Sequence, residues 1–298
     1  MLVSGYQLMK GGIRMSKKNQ VWFVTGSSSG FGKALVEELI HESYPVVATA
    51  RKLSSLSDLP TGEADVLKLS LDVTKPEQIH EAVSQAEEHF GFIDVLVNNA
   101  GYGYFGAVEE SDQSEVRRMM ETNFWGANDM TLALLPKMRE HRSGRIINVT
   151  SIGGLATFPT FAYYHATKFA MEGLFQSLRK QVAPFGIQIT NVEPGAFRTK
   201  WAGASHKGAT NLIDDYNLVH KARIASETRS GSQDGNPKLA AKAFIKLANM
   251  EKQPMHYLFG KDAYQTAVST YKQALDEFEA YRHDATHLSF GDDDYWEK

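Results

Sequence analysis

The sequence predicts an α/β protein: a three-layer αβα, doubly wound parallel sheet of the Rossmann type, in a single domain. Two observations carry this expectation. Short apolar strands alternate with amphipathic helices from residue 20 onward, the pattern of repeated βαβ units. Chemically distinctive residues also fall just after those strands: Gly26, Arg51, Asp72, Asn98 and Asn99, Ser151, and Pro194. Open α/β sheets bind ligands there, at the carboxyl ends of strands near the point where strand order reverses.

The elements follow in order. Residues 21–25 form a short apolar strand, and 30–41 a helix whose Leu35, Val36, Leu39 and Ile40 make one apolar stripe. Residues 45–50 and 65–71 are the second and third strands. Pro76 opens a helix over 77–90, because proline is tolerated in a first turn. Residues 93–97 are the fourth strand, 114–142 a long helix, 145–150 the fifth strand, 161–182 another helix and 187–192 the sixth strand. From 196 to about 236 the pattern lapses into Gly, Ser, Asn and charge, which predicts a long mobile segment over the site. A helix over 238–249, a seventh strand at 256–259 and a terminal helix over 264–281 complete a domain spanning 20–282. Residues 283–298 are an acidic tail.

Bulk properties exclude several classes. Of 298 residues, 42 % are hydrophobic and 22 % charged, enough apolar content for a sizeable core. The net charge of −3 gives no electrostatic case for nucleic acid or an anionic membrane. With no cysteine, disulfides, zinc–thiolate sites and thiol catalysis are ruled out. No apolar run reaches the roughly 18–20 residues a membrane span needs, and the absence of cysteine fits a cytoplasmic protein. Residues 1–19 read as a disordered extension or a start placed too early. Met15-Ser16-Lys17-Lys18-Asn19 resembles an ordinary start, and Lys10-Gly11-Gly12 is encodable by a purine-rich ribosome-binding sequence.

The chemistry lies in two motifs. Gly26, Gly30 and Gly32 sit between a strand and a helix, where glycine lets backbone approach a pyrophosphate and the helix N-terminus offers free N–H groups. Ser27, Ser28 and Ser29 are candidate hydroxyl donors to the same phosphates. The second strand ends in Ala50-Arg51-Lys52 with no carboxylate to bind a ribose 2′-hydroxyl. A guanidinium suits a 2′-phosphate instead, so Arg51 points to NADP(H). Tyr164 and Lys168 share a helix face at i, i+4. An ammonium beside a phenol favours the phenolate, which lets Tyr164 give a proton to a carbonyl or take one from an alcohol. Ser151 can bind the same substrate oxygen, and a backbone or side-chain group of Asn123 can hold a water that relays protons to Lys168. Tyr163 is the rival base, but its i+4 partner is the uncharged Thr167.

These motifs together resemble the short-chain dehydrogenase/reductase family over about residues 20–200. The match runs in order through Thr25 to Gly32, Asp72-Val73, Asn98-Asn99-Ala100-Gly101, Ser151, Tyr164 to Lys168, and Pro194-Gly195. The stretch from Thr150 to Thr199 most resembles a branch with steroid- and retinol-type dehydrogenases and many bacterial reductases. The resemblance implies a catalytic set of Asn123, Ser151, Tyr164 and Lys168. It implies a cofactor contacted by Gly26, Ser28, Ser29, Gly30, Phe31, Gly32 and Arg51, with Asp72 and Val73 at the adenine. Asn99, Ala100 and Gly101 would lie along the cofactor, Lys168 on the nicotinamide ribose, and Pro194, Gly195 and Thr199 around the nicotinamide. It also implies a homodimer or homotetramer paired through the long helices that carry Asn123 and Tyr164.

Tyr102, Tyr104, Phe105, Phe158, Phe161, Phe197 and Trp201 cluster near the expected pocket and suggest an apolar or aromatic ketone, aldehyde or secondary alcohol. A non-catalytic NADP(H) sensor and a nucleotide-sugar-modifying enzyme are the alternatives on this fold. His283 and His287 have metal-ligand spacing without a third ligand, so no metal is expected. Tyr295 and Trp296 are candidates for docking on a neighbouring subunit.

Overall fold

The computed structural model describes residues 20–202, 206–290 and 292–296. The two readings of residues 1–19 lie outside the described residues. Strands β1 (Trp22–Val24), β2 (Val46–Ala50), β3 (Val66–Ser70) and β4 (Val95–Asn98) come first in the chain. A two-residue strand β5 (Tyr104–Phe105) follows, then β6 (Gly144–Val149), β7 (Ile187–Pro194), a second two-residue strand β8 (Lys207–Gly208) and β9 (His256–Phe259). Seven of these make one sheet in the order β3-β2-β1-β4-β6-β7-β9, every pairing parallel. The order reverses between β1 and β4, which makes a switch-point crevice above their carboxyl ends.

Both faces are covered, so the strands are apolar on both sides. Side chains alternate along each strand. Trp22, Val24, Val46 and Ala48 pack under α1 (Gly30–His41) and α7 (Pro237–Ala248). Phe23, Val47, Leu96 and Ile146 pack under α2 (Pro76–Phe90), α4 (Gly126–His141) and α5 (Ala162–Val182). The predicted long helix is continuous from α3 (Gln113–Met120) into α4, but a π turn at Glu121–Trp125 joins them. Asp112 caps α3, its carboxylate accepting from the backbone N–H groups of Ser114 and Glu115. The C-terminal helix α8 (Lys261–Ala280) rests on the domain by Ala263 and Ala267.

The segment at 196–236 differs from the expected irregular loop. It contains α6 (Asn217–Thr228), and β8 pairs with β5 through Tyr104↔Lys207 and Phe105↔Gly208. Polar straps, rather than an apolar stripe, hold α6. Arg223 donates to the Ala209 carbonyl at 2.7 Å and pairs with Glu227 at 2.9 Å. His220 meets the buried Glu110 at 2.6 Å. Composition alone reads such a segment as loop.

Candidate active site

Gly26 and Gly30 have φ of +71° and +57°, conformations that favour glycine, and a Cβ on Gly26 would sit 3.0 Å from the Ala100 Cα. Thr25 fastens the turn to β4: its hydroxyl accepts from the N–H groups of Asn99 (2.9 Å) and Ala100 (3.0 Å). The Asn99 amide donates to the Thr25 and Gly26 carbonyls at 2.9 and 3.0 Å. Ser29, at the α1 N-cap, makes no side-chain cap bond, which leaves the first-turn N–H groups for an anion. The donors of Ser28, Ser29, Gly30 and Phe31, which line the crevice, therefore fit a pyrophosphate.

Two expectations at this turn are corrected. Ser27 is buried and its hydroxyl donates to the Val24 carbonyl at 3.0 Å, so it is no phosphate donor. Gly32 does not line the crevice. A Cβ there would strike the Gly26 carbonyl and the Asn99 amide, so Gly32 serves the close approach of α1 to the turn.

One cavity of about 1190 Å³ runs from this turn to Ser151, Tyr164 and Lys168. That exceeds the volume a drug-sized ligand usually takes, leaving room for a dinucleotide and a substrate. Arg51 and Asp72 line it at the ends of β2 and β3, with Val73, Asn99, Ala100 and Gly101 alongside. Ser151, Tyr164, Lys168, Pro194, Gly195 and Thr199 line its other part. Arg51 is exposed, and among the described residues no carboxylate pairs with it. The Asp72 carboxylate is held by Thr74, from its N–H at 3.0 Å and its hydroxyl at 2.8 Å.

Tyr164 and Lys168 project from the buried face of α5. Burial pushes the Tyr164 phenol up to about 12, and the Ser151 hydroxyl beside it pulls the other way. Burial pushes the Lys168 ammonium down to about 8, opposed by the charge of Glu172. The Lys168 Nζ donates to the Val149 carbonyl at 2.8 Å and lies 5.7 Å from the centre of the Tyr164 ring. The phenol is thus set here by its burial and by Ser151, without the expected lowering by Lys168. Tyr163 faces elsewhere, accepting from the Gln113 amide at 3.1 Å.

Asn123 lies in the π turn, fully buried and outside the cavity wall. Its amide oxygen accepts from Tyr102 N at 3.0 Å, and its nitrogen donates to the Tyr102 carbonyl at 2.9 Å and the Thr167 hydroxyl at 3.1 Å. The side chain is therefore spent tying the strand-end loop to α5. Of the two options for a water relay, the backbone group remains.

Sequence reasoning missed the polar layer behind Lys168. Asn98, Asn148 and Asn191 stand in register across β4, β6 and β7. Each amide donates to the next at 3.0 Å, and Asn191 donates to Glu172 at 2.6 Å. Beyond them, His256 meets Glu193 at 2.6 Å and Glu172 at 3.6 Å. Burial pushes the Glu193 carboxyl up to about 7 and raises that of Glu172 as well. Hydrogen bonding to Glu193 raises the His256 imidazole. Glu172 follows Lys168 by four residues, and Glu193 interrupts an apolar strand; those were the available signals. His165 was also missed. Its Nδ1 donates to the Gly153 carbonyl and its Nε2 accepts from Phe158 N, both at 2.8 Å, which fixes the loop after Ser151.

Of the seven predicted pocket aromatics, Tyr102, Phe158, Phe161, Phe197 and Trp201 line the cavity. Tyr104 and Phe105 do not. The Tyr104 hydroxyl accepts from Asp112 N at 2.9 Å, and Phe105 stacks on His206 beneath Trp201. Ala222, Ala225 and Arg229 of the 196–236 segment add a wall that sequence reasoning left blank. In the tail, His283 and His287 pack with Tyr295 of the same chain, so Tyr295 folds back rather than reaching outward.

A glycine turn at the switch point and a buried Tyr–Lys pair in one cavity define a dinucleotide-dependent oxidoreductase. The short chain dehydrogenase family model matches residues 20–209, and the chain belongs to that family. It is 38 % identical to oxidoreductase BOA17 of Botryotinia fuckeliana, over 83 % of this chain and 91 % of that one. It is 42 % identical to 3-ketodihydrosphingosine reductase of Bacteroides thetaiotaomicron, over 81 % and 88 %. A short-chain dehydrogenase structure from Streptomyces avermitilis superposes with a TM-score of 0.86 at 36 % identity, covering 92 % of this chain and all of that one. ElxO, solved with NADP bound, superposes at 0.67 with 27 % identity over 80 % and 96 %. Among the described residues no helix is long and apolar enough to cross a membrane.

Proposed function

We propose that this enzyme uses NADP(H) to move a hydride between nicotinamide and an apolar carbonyl or secondary alcohol carbon, with Tyr164 as general acid and base. The observation that carries the reading is the continuity of one cavity from the glycine turn to Ser151, Tyr164 and Lys168. The cofactor, when bound, supplies or accepts the hydride. The Ser28 to Phe31 turn would hold its pyrophosphate, Arg51 a 2′-phosphate, and Asp72 and Val73 the adenine. Asn99, Ala100, Gly101, Pro194, Gly195 and Thr199 would flank the remainder, with Lys168 at the ribose.

In reduction, Tyr164 gives its phenolic proton to the substrate oxygen as hydride reaches the carbon, so carbonyl becomes alcohol. Ser151 donates a hydrogen bond to that oxygen. The Lys168 ammonium stabilises the phenolate left behind, and solvent returns the proton through Lys168 and a water held by the backbone at Asn123. Oxidation runs the same steps backward. Phe158, Phe161 and Trp201 favour an apolar substrate of the steroid or retinol kind, and a relative named for a ketone favours a carbonyl. We further take the enzyme to work in the cytoplasm as a homodimer or homotetramer. Trp125, Leu132 and Phe169, exposed on or beside α4 and α5, support pairing there.

The test is loss of reduced-nicotinamide absorbance with NADPH across aromatic, long-chain, steroid and sugar carbonyls. Turnover is expected with one apolar class, and Tyr164→Phe should lower kcat by about three orders of magnitude or more while NADPH still binds. Undiminished turnover by that variant refutes the assignment of Tyr164.

A further inference from the structure

Three side chains of ligand type converge behind Lys168 from three elements: Glu172 of α5, Glu193 of β7 and His256 of β9. One donor atom of each lies within 4.8 Å of the other two. The His256 Nδ1 stands 2.6 Å from Glu193 Oε1 and 3.6 Å from Glu172 Oε2. Outer contacts hold both carboxylates in place. Tyr257 N donates to Glu193 Oε2 at 2.9 Å, and the Asn191 amide donates to Glu172 Oε2 at 2.6 Å. Glu193 is fully buried and Glu172 only 3 % exposed, yet Glu172 Oε1 has no hydrogen-bond partner. The Thr150 hydroxyl beside that carboxylate gives its one proton to the Val192 carbonyl at 3.0 Å. A buried carboxylate oxygen left in this way is costly. Nor does a fixed cation serve it, since among the described residues no Lys or Arg pairs with either carboxylate. Lys168 donates to the Val149 carbonyl at 2.8 Å and Arg179 to the Gln253 carbonyl at 2.6 Å.

We propose that Glu172, Glu193 and His256 bind one divalent transition-metal ion, zinc foremost, which ties the edge strand β9 to β7 and α5. Two carboxylates match its two charges, and the unpartnered Glu172 oxygen gains a cation beside it. An imidazole with two carboxylates suits zinc ahead of manganese. Magnesium and calcium take oxygen ligands and have no use for the imidazole. Bonds of roughly 2.0–2.2 Å set tetrahedral donors about 3.4 Å apart. The pair at 3.6 Å already fits that spacing. The pair at 2.6 Å must open by about 0.8 Å as the ion replaces the proton between them. His256 has room for that movement, because its side chain is 37 % exposed on the last strand of the sheet. The same exposure gives the ion its way in. None of the three residues lines the active-site cavity, so the ion is structural and takes no part in hydride transfer.

Zinc uptake by the full chain, first stripped with a chelator, tests the proposal. His283 and His287 have metal-ligand spacing of their own, so His283→Ala and His287→Ala are carried in every protein compared. Equilibrium dialysis should find one zinc ion per chain at about micromolar free zinc. Zinc should raise the melting temperature by several degrees, and magnesium at the same concentration should not. Cobalt in place of zinc should give the visible absorption of an enclosed nitrogen–oxygen site. His256→Ala and Glu193→Gln should each remove the melting shift and weaken binding by about 100-fold or more. The exposed His256 position should tolerate alanine, which circular dichroism checks, and that variant decides alone if Glu193→Gln does not fold. A stripped chain that takes up no zinc overturns the proposal and leaves the carboxylates to share a proton. Binding or a melting shift that survives His256→Ala unchanged overturns it equally.

Discussion

At the scale of single residues, Lys168 shows how the site trades stability for reactivity. Burial lowers its ammonium from the ordinary 10.5 to about 8. Between those values the unfolded chain binds a proton that the folded chain does not, so stability rises with pH across about 8 to 10.5. Wild type should therefore gain on Lys168→Met by up to roughly 3 kcal/mol from pH 7 to pH 10 in denaturant titrations of cofactor-free protein. A gap that does not change with pH removes the claim. The phenol, pushed up to about 12, stays protonated through that window, so reduction should decline above about pH 8 through loss of the ammonium rather than of the donor. Spacing made Tyr164 and Lys168 legible because a helix face follows from i, i+4. Their burial was not legible, because the loop after β6 and the 196–236 segment build it from distant sequence. Ser27 shows the converse: three serines in a row look equivalent until the turn points one inward.

At the scale of elements, Glu110 is one of the straps that hold α6 and the turn before it. Glu110 accepts from Ala107 N (3.2 Å), Ile213 N (2.7 Å) and His220 (2.6 Å). Burial alone would raise its carboxyl, but these hydrogen bonds outweigh it and hold the group below the ordinary 4.5. A depressed folded pKa gives stability that is present above the ordinary value and lost as pH falls through the depressed one. Glu110→Gln should accordingly speed amide exchange over residues 206–228 by about ten-fold or more and raise KM, leaving the central sheet protected. Equal exchange in variant and wild type would show that the strap does not hold the element. Regular helices and strands were legible from apolar periodicity. The α6 segment was not, since side chain–backbone bonds from Arg223 and Glu110 substitute for an apolar stripe. Nor was the π turn at Glu121–Trp125, because one widened turn barely disturbs the spacing on either side.

At the scale of the whole molecule, the cavity reaches both layers of the crevice, so filling it should stabilise the entire domain. Ligand at 100 times its Kd adds about 2.7 kcal/mol. For a chain this long, NADPH should raise the melting temperature by several degrees and NADH by less. Arg51→Asp should reverse that order, and equal shifts in both proteins would show that Arg51 does not read the 2′-phosphate. Six strands of the sheet were legible because each ends in a residue that the crevice explains, and β9 was legible from its short apolar run alone. The exposure of the outer flank of α8 was hidden, since periodicity alone cannot tell a stripe that is covered from one that is not.

The three asparagines across β4, β6 and β7 carry one more consequence, for how the chain finds its fold. Parallel strands pair late, between distant segments. A slip of one residue turns every side chain to the opposite face. Hydrocarbon would tolerate that error better than amides do. With Asn98, Asn148 and Asn191 out of step, buried amides would lose partners at about 1–3 kcal/mol each. A sheet assembled one residue out of place would thus be less stable than the native one, so the asparagines penalise the wrong register.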